Sequence, residues 1–330
     1  MNKVPATRLR NVAAAALTAP LLLAGCGGAM GNDDAGDRPR VVASFYPLAY
    51  VAERVGGEHT DVVTLTSPGV DPHDLELSVR QTAEIAGADL VVYEKGMQPA
   101  IDEAVDQNGP DQVVEATQVV DLVAFEEHTA DDHADDHAED PHADEHADDD
   151  HADDHGHGDK DLHFWVDPER MVDLAAAVRD EMSVVDPENA ADYESAFQDL
   201  RDDLLEIDLA YAEGLSKCEV DTVVVSHDAF RYLEKYGLHF EPIAGLSPDA
   251  EPSAAHLREL QDLIRSEGVT TVFSERLASP AMAQTLARDL GIETDVLDPI
   301  EGLGDETADE DYLSLMRSNL EALRAANRCR

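Results

Sequence analysis

The chain has 330 residues, which sets an expectation of two domains at the usual ~100–200 residues each and leaves room for two buried cores. Its 72 Asp and Glu against 23 Lys and Arg give a formal charge of −49, which argues against nucleic acid and anionic lipid surfaces as partners. Residues 126–161 hold 17 of those acids and one Lys, so −33 remains elsewhere, as suits solubility or a salt-rich habitat.

In chain order, residues 1–25 read as an export signal. Lys3, Arg8 and Arg10 form a positive stretch before an apolar run at 12–24, which is shorter than the ~20 residues a bilayer span needs. The run ends in Leu23-Ala24-Gly25-Cys26, which resembles a bacterial lipobox. That resemblance implies a lipid on Cys26 and anchorage to the outer face of the cell membrane; an ordinary signal peptide with a chance Cys is the alternative. Residues 26–38, rich in Gly and Asp, then serve as a flexible tether. An extracytoplasmic setting permits a disulfide between the remaining Cys218 and Cys329, which would pin the C-terminal helix to the second domain; two unpaired thiols are the other reading.

From residue 39 onward, short β-rich runs alternate with helical patterns, the mark of an α/β fold with mainly parallel sheets flanked by helices. The first domain, 39–186, is expected to hold strands at 41–45, 62–65, 90–93 and 119–123, with helices at 47–55, 78–86 and 98–106. A linker helix over 187–214 follows Asp186, and its stripe of Tyr193, Phe197, Leu200, Leu204, Ile207 and Tyr211 steps by four and three. Such a helix restricts hinge opening between the domains. The second domain, 215–330, repeats the alternation: strands at 222–226, 238–240, 270–273 and 294–297, and helices at 229–236, 253–266, 281–290 and 312–326. No residue-level repeat is evident between the halves.

One segment fits neither domain. Across 126–160, His128, His133, His137, His142, His146, His151, His155 and His157 recur among Asp and Ala, with almost no apolar content. The segment cannot form a core and is expected to be a disordered insertion in the first domain. It reads either as a weak accessory metal collector or as a solvated spacer, and the spacing of its imidazoles favours metal binding.

Three histidines outside the tract sit in loops at strand-to-helix turns. They are His73 in Asp71-Pro72-His73-Asp74, His163 in Asp161-Leu162-His163-Phe164-Trp165, and His227 in Ser226-His227-Asp228. Loops at the strand ends of parallel sheets face the crevice where ligands bind, so two domains would bring them together across a cleft. His59, His239 and His256 are read as ordinary residues.

These motifs, with Ala88-Asp89-Leu90-Val91-Val92, the His-acid tract and Leu297-Asp298-Pro299-Ile300-Glu301-Gly302-Leu303, resemble the zinc-type substrate-binding proteins of bacterial metal ABC importers. The resemblance covers about residues 38–326. It implies two α/β domains joined by a rigid helix, with Zn2+ held in the interdomain cleft by His73, His163 and His227. It also implies a monomer that hands its ion to an ABC permease driven by a cytoplasmic ATPase. The fourth ligand falls on Glu301, with Glu275, Asp298 or water as alternatives, and Asp228 as a supporting or helix-capping group. Three imidazoles suit zinc, whereas a harder, oxygen-richer set suits manganese.

A zinc hydrolase is the chief competing class, but no His-Glu-x-x-His helix is present, and no Gly-x4-Gly-Lys-Ser/Thr loop for nucleotide. The chain is therefore expected not to be an enzyme. A zinc-dependent adhesin or scavenger is the remaining alternative.

Overall fold

The computed structural model describes residues 38–124, 160–246, 248 and 250–330. The export signal, Cys26 with nearly all of its tether, and all eight histidines of the acidic tract lie outside the described residues.

Two four-stranded, fully parallel sheets form the frame. In the first, β1 (Arg40–Ala43), β2 (Asp61–Thr64), β3 (Leu90–Tyr93) and β4 (Val113–Glu115) are ordered β2-β1-β3-β4. In the second, β5 (Thr222–Val225), β6 (His239–Pro242), β7 (Thr271–Ser274) and β8 (Glu293–Val296) are ordered β6-β5-β7-β8. The central strands β3, β5 and β7 are buried throughout, and β3 and β5 read as near-continuous apolar runs, because both faces of a parallel sheet are covered. In each sheet the strand order reverses beside the first strand, between β1 and β3 and between β5 and β7. Such a reversal opens a crevice at the carboxyl ends of the strands.

Helices α1 (Tyr46–Gly56), α2 (Val79–Ala86), α3 (Pro99–Asn108), α4 (Ala116–Val119) and α5 (Pro168–Val185) belong to the first half. Local chemistry sets their starts: Ser78 and Gln81 form a reciprocal capping box on α2, and the Asp167 carboxylate accepts from Glu169 N ahead of Pro168 in the first turn of α5. The long α6 (Ala190–Leu215) has 26 residues and so runs ~39 Å at ~1.5 Å per residue. Its buried face is the stripe Tyr193, Phe197, Leu200, Leu204, Ile207, Tyr211 and Leu215, packed against α1, α5 and α9. Helices α7 (Ala254–Glu267), α8 (Ala281–Leu290) and α9 (Tyr312–Ala326) complete the second half.

The strand alternation divides the core. Val41 and Val92 from the first sheet, Val223 and Phe273 from the second, and Trp165, Tyr211 and Tyr312 all belong to one continuous apolar cluster. Val42 and Val91 face a separate cluster under α2 and α3, and Val224 and Val272 face another under α7 and α8. A shared core threaded by α6 leaves little room for a floppy hinge.

Three expected elements differ. The strand placed at 119–123 is instead β4 at Val113–Glu115, because residues 116–119 turn into α4 with Glu115 accepting from Thr117 N. The helix expected at 229–236 is a 3-10 helix, Arg231–Tyr236, closed by Gly237 at φ 89. The linker helix starts at Ala190 rather than 187, since Asp186 caps the end of α5 and its carboxylate accepts from Asn189 Nδ2 at 2.6 Å and Tyr193 OH at 2.8 Å. Cys218 and Cys329 form a disulfide across a separation of 111 residues, so they are not free thiols. That bond ties the chain just past α9 to the turn just past α6.

Candidate metal centre

His73 lies in a 3-10 turn, Pro72–Asp74, between β2 and α2. Its backbone N–H donates to Asp71 Oδ1 at 2.8 Å, and the Gln98 amide holds the Pro72 carbonyl at 3.0 Å. His163 opens another 3-10 turn, Phe164–Val166, and follows an isolated Ala124–Lys160 bridge rather than a strand. That bridge sets the two ends of the acidic tract side by side, three residues before His163. His227 leaves the end of β5 directly.

Glu301 follows a constrained turn. Ile300 is fully buried with φ 61, a left-handed conformation that a β-branched residue adopts only under constraint. The constraint is visible in its neighbours. Asp298 Oδ1 accepts from Ile300 N at 2.8 Å, and Asn319 both donates to the Asp298 carbonyl at 2.6 Å and accepts from Asp298 N at 2.9 Å.

These four side chains converge. Glu301 Oε1 lies 3.5 Å from His73 Nε2, 3.6 Å from His163 Nε2 and 3.6 Å from His227 Nε2. Four donors ~2.1 Å from a tetrahedral ion stand ~3.4 Å apart, so the three edges that meet at Glu301 match such a geometry, and all four donor atoms lie within 4.8 Å of one another. All four atoms are buried and lack a hydrogen-bond partner. Unpaired buried polar atoms are costly, and a bound cation is what would satisfy all four together. Solvent reaches the cluster from the His73 side, where the side chain is 21% exposed against 2%, 0% and 2% for His163, His227 and Glu301.

Two carboxylates behind the cluster fix the imidazoles. Asp161 Oδ1 lies 2.8 Å from His163 Nδ1 and also accepts from His163 N at 2.9 Å. Glu275 Oε1 lies 2.6 Å from His227 Nδ1 and accepts from the Ser226 hydroxyl. With each Nδ1 donating outward, each Nε2 lone pair is left facing the cluster, as a metal requires. Glu275 is thus engaged with His227 and Ser226, and Asp298 with its own turn and with Arg276 at 3.2 Å. Asp228 accepts from Arg231 at 2.8 Å. His59 pairs with Asp192 at 3.2 Å, His256 contacts the Pro242 carbonyl at 2.9 Å, and His239 is exposed on β6; none joins the cluster.

Charge in the site is balanced by protons when no metal is bound. Burial lowers the His227 pKa, but the hydrogen bond to Glu275 and the negative charges of Glu275 and Glu301 outweigh it and raise the value to about 10. His73 shifts upward as well, with burial opposed by Glu301. Burial would raise Glu301, yet the surrounding imidazoles hold it well below the carboxylate range.

Reasoning from sequence missed Asp161, Glu275 as a support, Trp165 and Asn319. Asp161 and Trp165 flank His163 in the quoted motif, so their proximity in sequence was the available signal. Asn319 sits on the buried face of α9 and gave none. A second acidic group, Asp167, Glu169 and Asp208, is filled by Lys235 Nζ at 2.6, 2.8 and 2.8 Å, so it reads as an ion-pair hub.

Residues 41–326 match the family described as "Zinc-uptake complex component A periplasmic". The chain is 34% identical over 292 residues to the zinc-binding lipoprotein AdcA of Streptococcus pneumoniae, covering 86% of this chain and 55% of that protein. It therefore spans about half the length of the first curated relatives it matches. It is also 34% identical over 314 residues to the high-affinity zinc uptake system protein ZnuA of Bacillus subtilis, covering 92% and 93% of the two chains. Among solved structures, the Zn(II)-bound ZnuA-like domain of S. pneumoniae AdcA matches with a TM-score of 0.69 at 32% identity, over 88% of this chain and 99% of that one.

Proposed function

The chain belongs to the family of periplasmic zinc-uptake component A, and from that premise we propose that it captures Zn2+ outside the cytoplasm and delivers it to a membrane importer. The importer would pair an ABC permease with a cytoplasmic ATPase, and the chain would act as a monomer anchored through Cys26. His73, His163, His227 and Glu301 would be the ligands of the carried ion. The observation that supports this most directly is the spacing of three buried, unpartnered imidazole nitrogens about one buried carboxylate oxygen.

The donor set also speaks to selectivity and to reaction class. Three imidazoles and one carboxylate favour zinc over manganese, which prefers more oxygen. Catalytic zinc sites keep an open position for water, whereas here Glu301 would take the fourth corner of the tetrahedron. That arrangement suits carriage of the ion rather than hydrolysis. The tract at 126–160 would be an accessory collector.

The test is a zinc and manganese titration of three forms: the chain without its signal, a deletion of 126–160, and His227→Ala. One tight zinc site that survives the deletion and is lost in His227→Ala is expected. Tight binding that vanishes with the tract and ignores His227 would overturn the four-ligand assignment.

A further inference from the structure

One hydroxyl joins the two halves of the chain beside the metal centre. Val123 and Asp161 lie on either side of the acidic tract and face one another: Asp161 N donates to Val123 O at 3.0 Å, next to the Ala124–Lys160 bridge. The Tyr232 hydroxyl, from the second half, binds the same two residues. It accepts from Val123 N at 3.1 Å and donates to the Asp161 carbonyl. A single phenol oxygen therefore completes the pairing at the root of the tract, and both backbone groups of Asp161 are engaged.

Tyr232 is held in place for this. It is 3% exposed and belongs to the 3-10 helix Arg231–Tyr236, five residues after His227, with Phe230 and Leu233 buried on either side of it in sequence. The Arg170 guanidinium covers its ring at 4.7 Å from the centroid, and Arg170 Nε donates to Asp121 O at 2.8 Å. The same arginine thus clamps the phenol and the backbone that leads to Val123. Asp161 is fully buried and in turn sets His163, accepting from His163 N at 2.9 Å with the oxygen that lies 2.8 Å from Nδ1. The rings of His163 and His227 have centroids 5.3 Å apart, and the segments that carry them meet at the Tyr232 hydroxyl. Without that hydroxyl, Val123 N–H and the Asp161 carbonyl both lose their partner, and a segment with two unpaired backbone groups shifts or admits water.

We propose that Tyr232 is a positioning residue for the metal centre: its hydroxyl fixes the Asp161 backbone from the second half, and Asp161 fixes the His163 ring against His227. That role rests on the reading of His163 as a zinc ligand, whereas the tie between Tyr232 and Val123 stands apart from it.

Tyr232→Phe keeps the buried ring and removes the tie. Tyr236→Phe is the control, because it removes a phenol from the same 3-10 helix whose hydroxyl donates instead to Asp208 on α6 at 2.7 Å. Zinc affinity, read by chelator competition, is expected to fall about tenfold in Tyr232→Phe and to stay within about threefold in Tyr236→Phe. The visible absorption of bound Co2+, which reports the geometry of its ligands, is expected to shift in Tyr232→Phe alone. Equal losses of affinity in the two variants, or an unchanged affinity and Co2+ spectrum in Tyr232→Phe, would overturn the proposal. Amide hydrogen exchange of the metal-free chain is expected to show a protected Val123 N–H that exchanges about tenfold faster in Tyr232→Phe. An unprotected Val123 in the unaltered chain would overturn the tie even if the variant failed to fold. A His163→Ala variant separates the two readings: unchanged zinc affinity there would sink the ligand assignment while leaving the Val123 protection in place.

Discussion

The indole of Trp165 donates to the carbonyl of Pro299 at 2.7 Å, and this bond joins the segment that carries His163 to the turn that carries Glu301. The Tyr312 hydroxyl donates to Trp165 O at 2.6 Å, so the link is held from α9 as well. Both segments are irregular backbone, and their mutual placement depends on such cross-ties. Trp165→Phe keeps most of the buried ring and removes the donor. Zinc affinity is expected to fall about tenfold with the fold retained, the usual size for an outer support of a metal ligand. Chelator competition measures it, and an unchanged affinity would show that the tie does not set the site.

Asn319 makes the corresponding argument from the other side of the turn. It is 4% exposed and braces both the N–H and the carbonyl of Asp298, while Ile300 sits in its left-handed conformation next to Glu301. Asn319→Ala leaves those backbone groups unpaired in the core, a cost of about 1–3 kcal/mol for each unsatisfied group. Thermal unfolding of the metal-free protein is expected to move down, and zinc affinity to drop with it as Glu301 loses its aim. A stability loss without any change in affinity would mean that Glu301 is positioned by other contacts.

Much of this was readable from sequence, and the reasons are local. The strands around Val91 and Val224 are short apolar runs that can only be buried, and the α6 stripe is a long period that leaves one interpretation. The loop motifs around His73, His163 and His227 carry their own turn-forming residues, so their local shape travels with the sequence. β4 was misplaced because Val113-Val114 is too short a run to stand out, and Val119-Val120 beside it is equally apolar. Ser44 follows β1 as Ser226 follows β5, and Glu94 follows β3 as Glu275 follows β7; this match between the halves was invisible because it depends on strand placement. Phe45 and His227 stand at matching positions, an apolar ring in one half and an imidazole in the other.

The metal-free site binds protons that zinc must displace. His227 is raised to about 10, so its contribution to stability is fully present below its ordinary value near 6.5 and is lost as pH rises through about 10. Glu301 is depressed, so its contribution is present above about 4.5 and is lost only as pH falls through its lowered value. Zinc needs the imidazoles neutral, so its apparent affinity is expected to rise with pH between about 6 and 8, with roughly one or more protons released per ion. Calorimetry in buffers of different ionisation enthalpy counts them. Release of no protons near neutrality would contradict this picture of the protonated site.

Lys235 ties three parts of the chain: Asp167 and Glu169 at the start of α5, Asp208 on α6, and its own 3-10 helix. Its neighbours, more than offsetting burial, shift its pKa upward. Asp167 is fully buried and also pairs with Arg170, so removing the lysine leaves a buried acid partly uncompensated. Lys235→Met is expected to destabilise by about 3 kcal/mol, the range for breaking one side of a buried pair, discounted for the partial exposure of the lysine. Lys235→Met with Asp208→Asn should recover part of that loss, as chemical denaturation would reveal. Zinc affinity should change little, because the hub touches none of the four proposed ligands.

The disulfide offers the last test. Cys218 and Cys329 close a loop of 111 residues that contains the whole second sheet and α9. Cross-linking a loop of that length restricts the unfolded chain by about 4–5 kcal/mol in the chain-entropy account, and measured losses on removing such bonds run about 2–5 kcal/mol. Cys218→Ser with Cys329→Ser is therefore expected to lower the unfolding midpoint clearly. The metal centre should persist at room temperature, because Asn327, two residues before Cys329, separately donates to the carbonyls of Val220 and Thr222 at 2.9 and 3.3 Å. Asn327 thus fastens the end of α9 to β5 without the sulfur bridge. The double variant should bind one zinc with near-normal affinity while unfolding at lower denaturant concentration; loss of the site in a folded double variant would show that the bridge itself holds Glu301 in register.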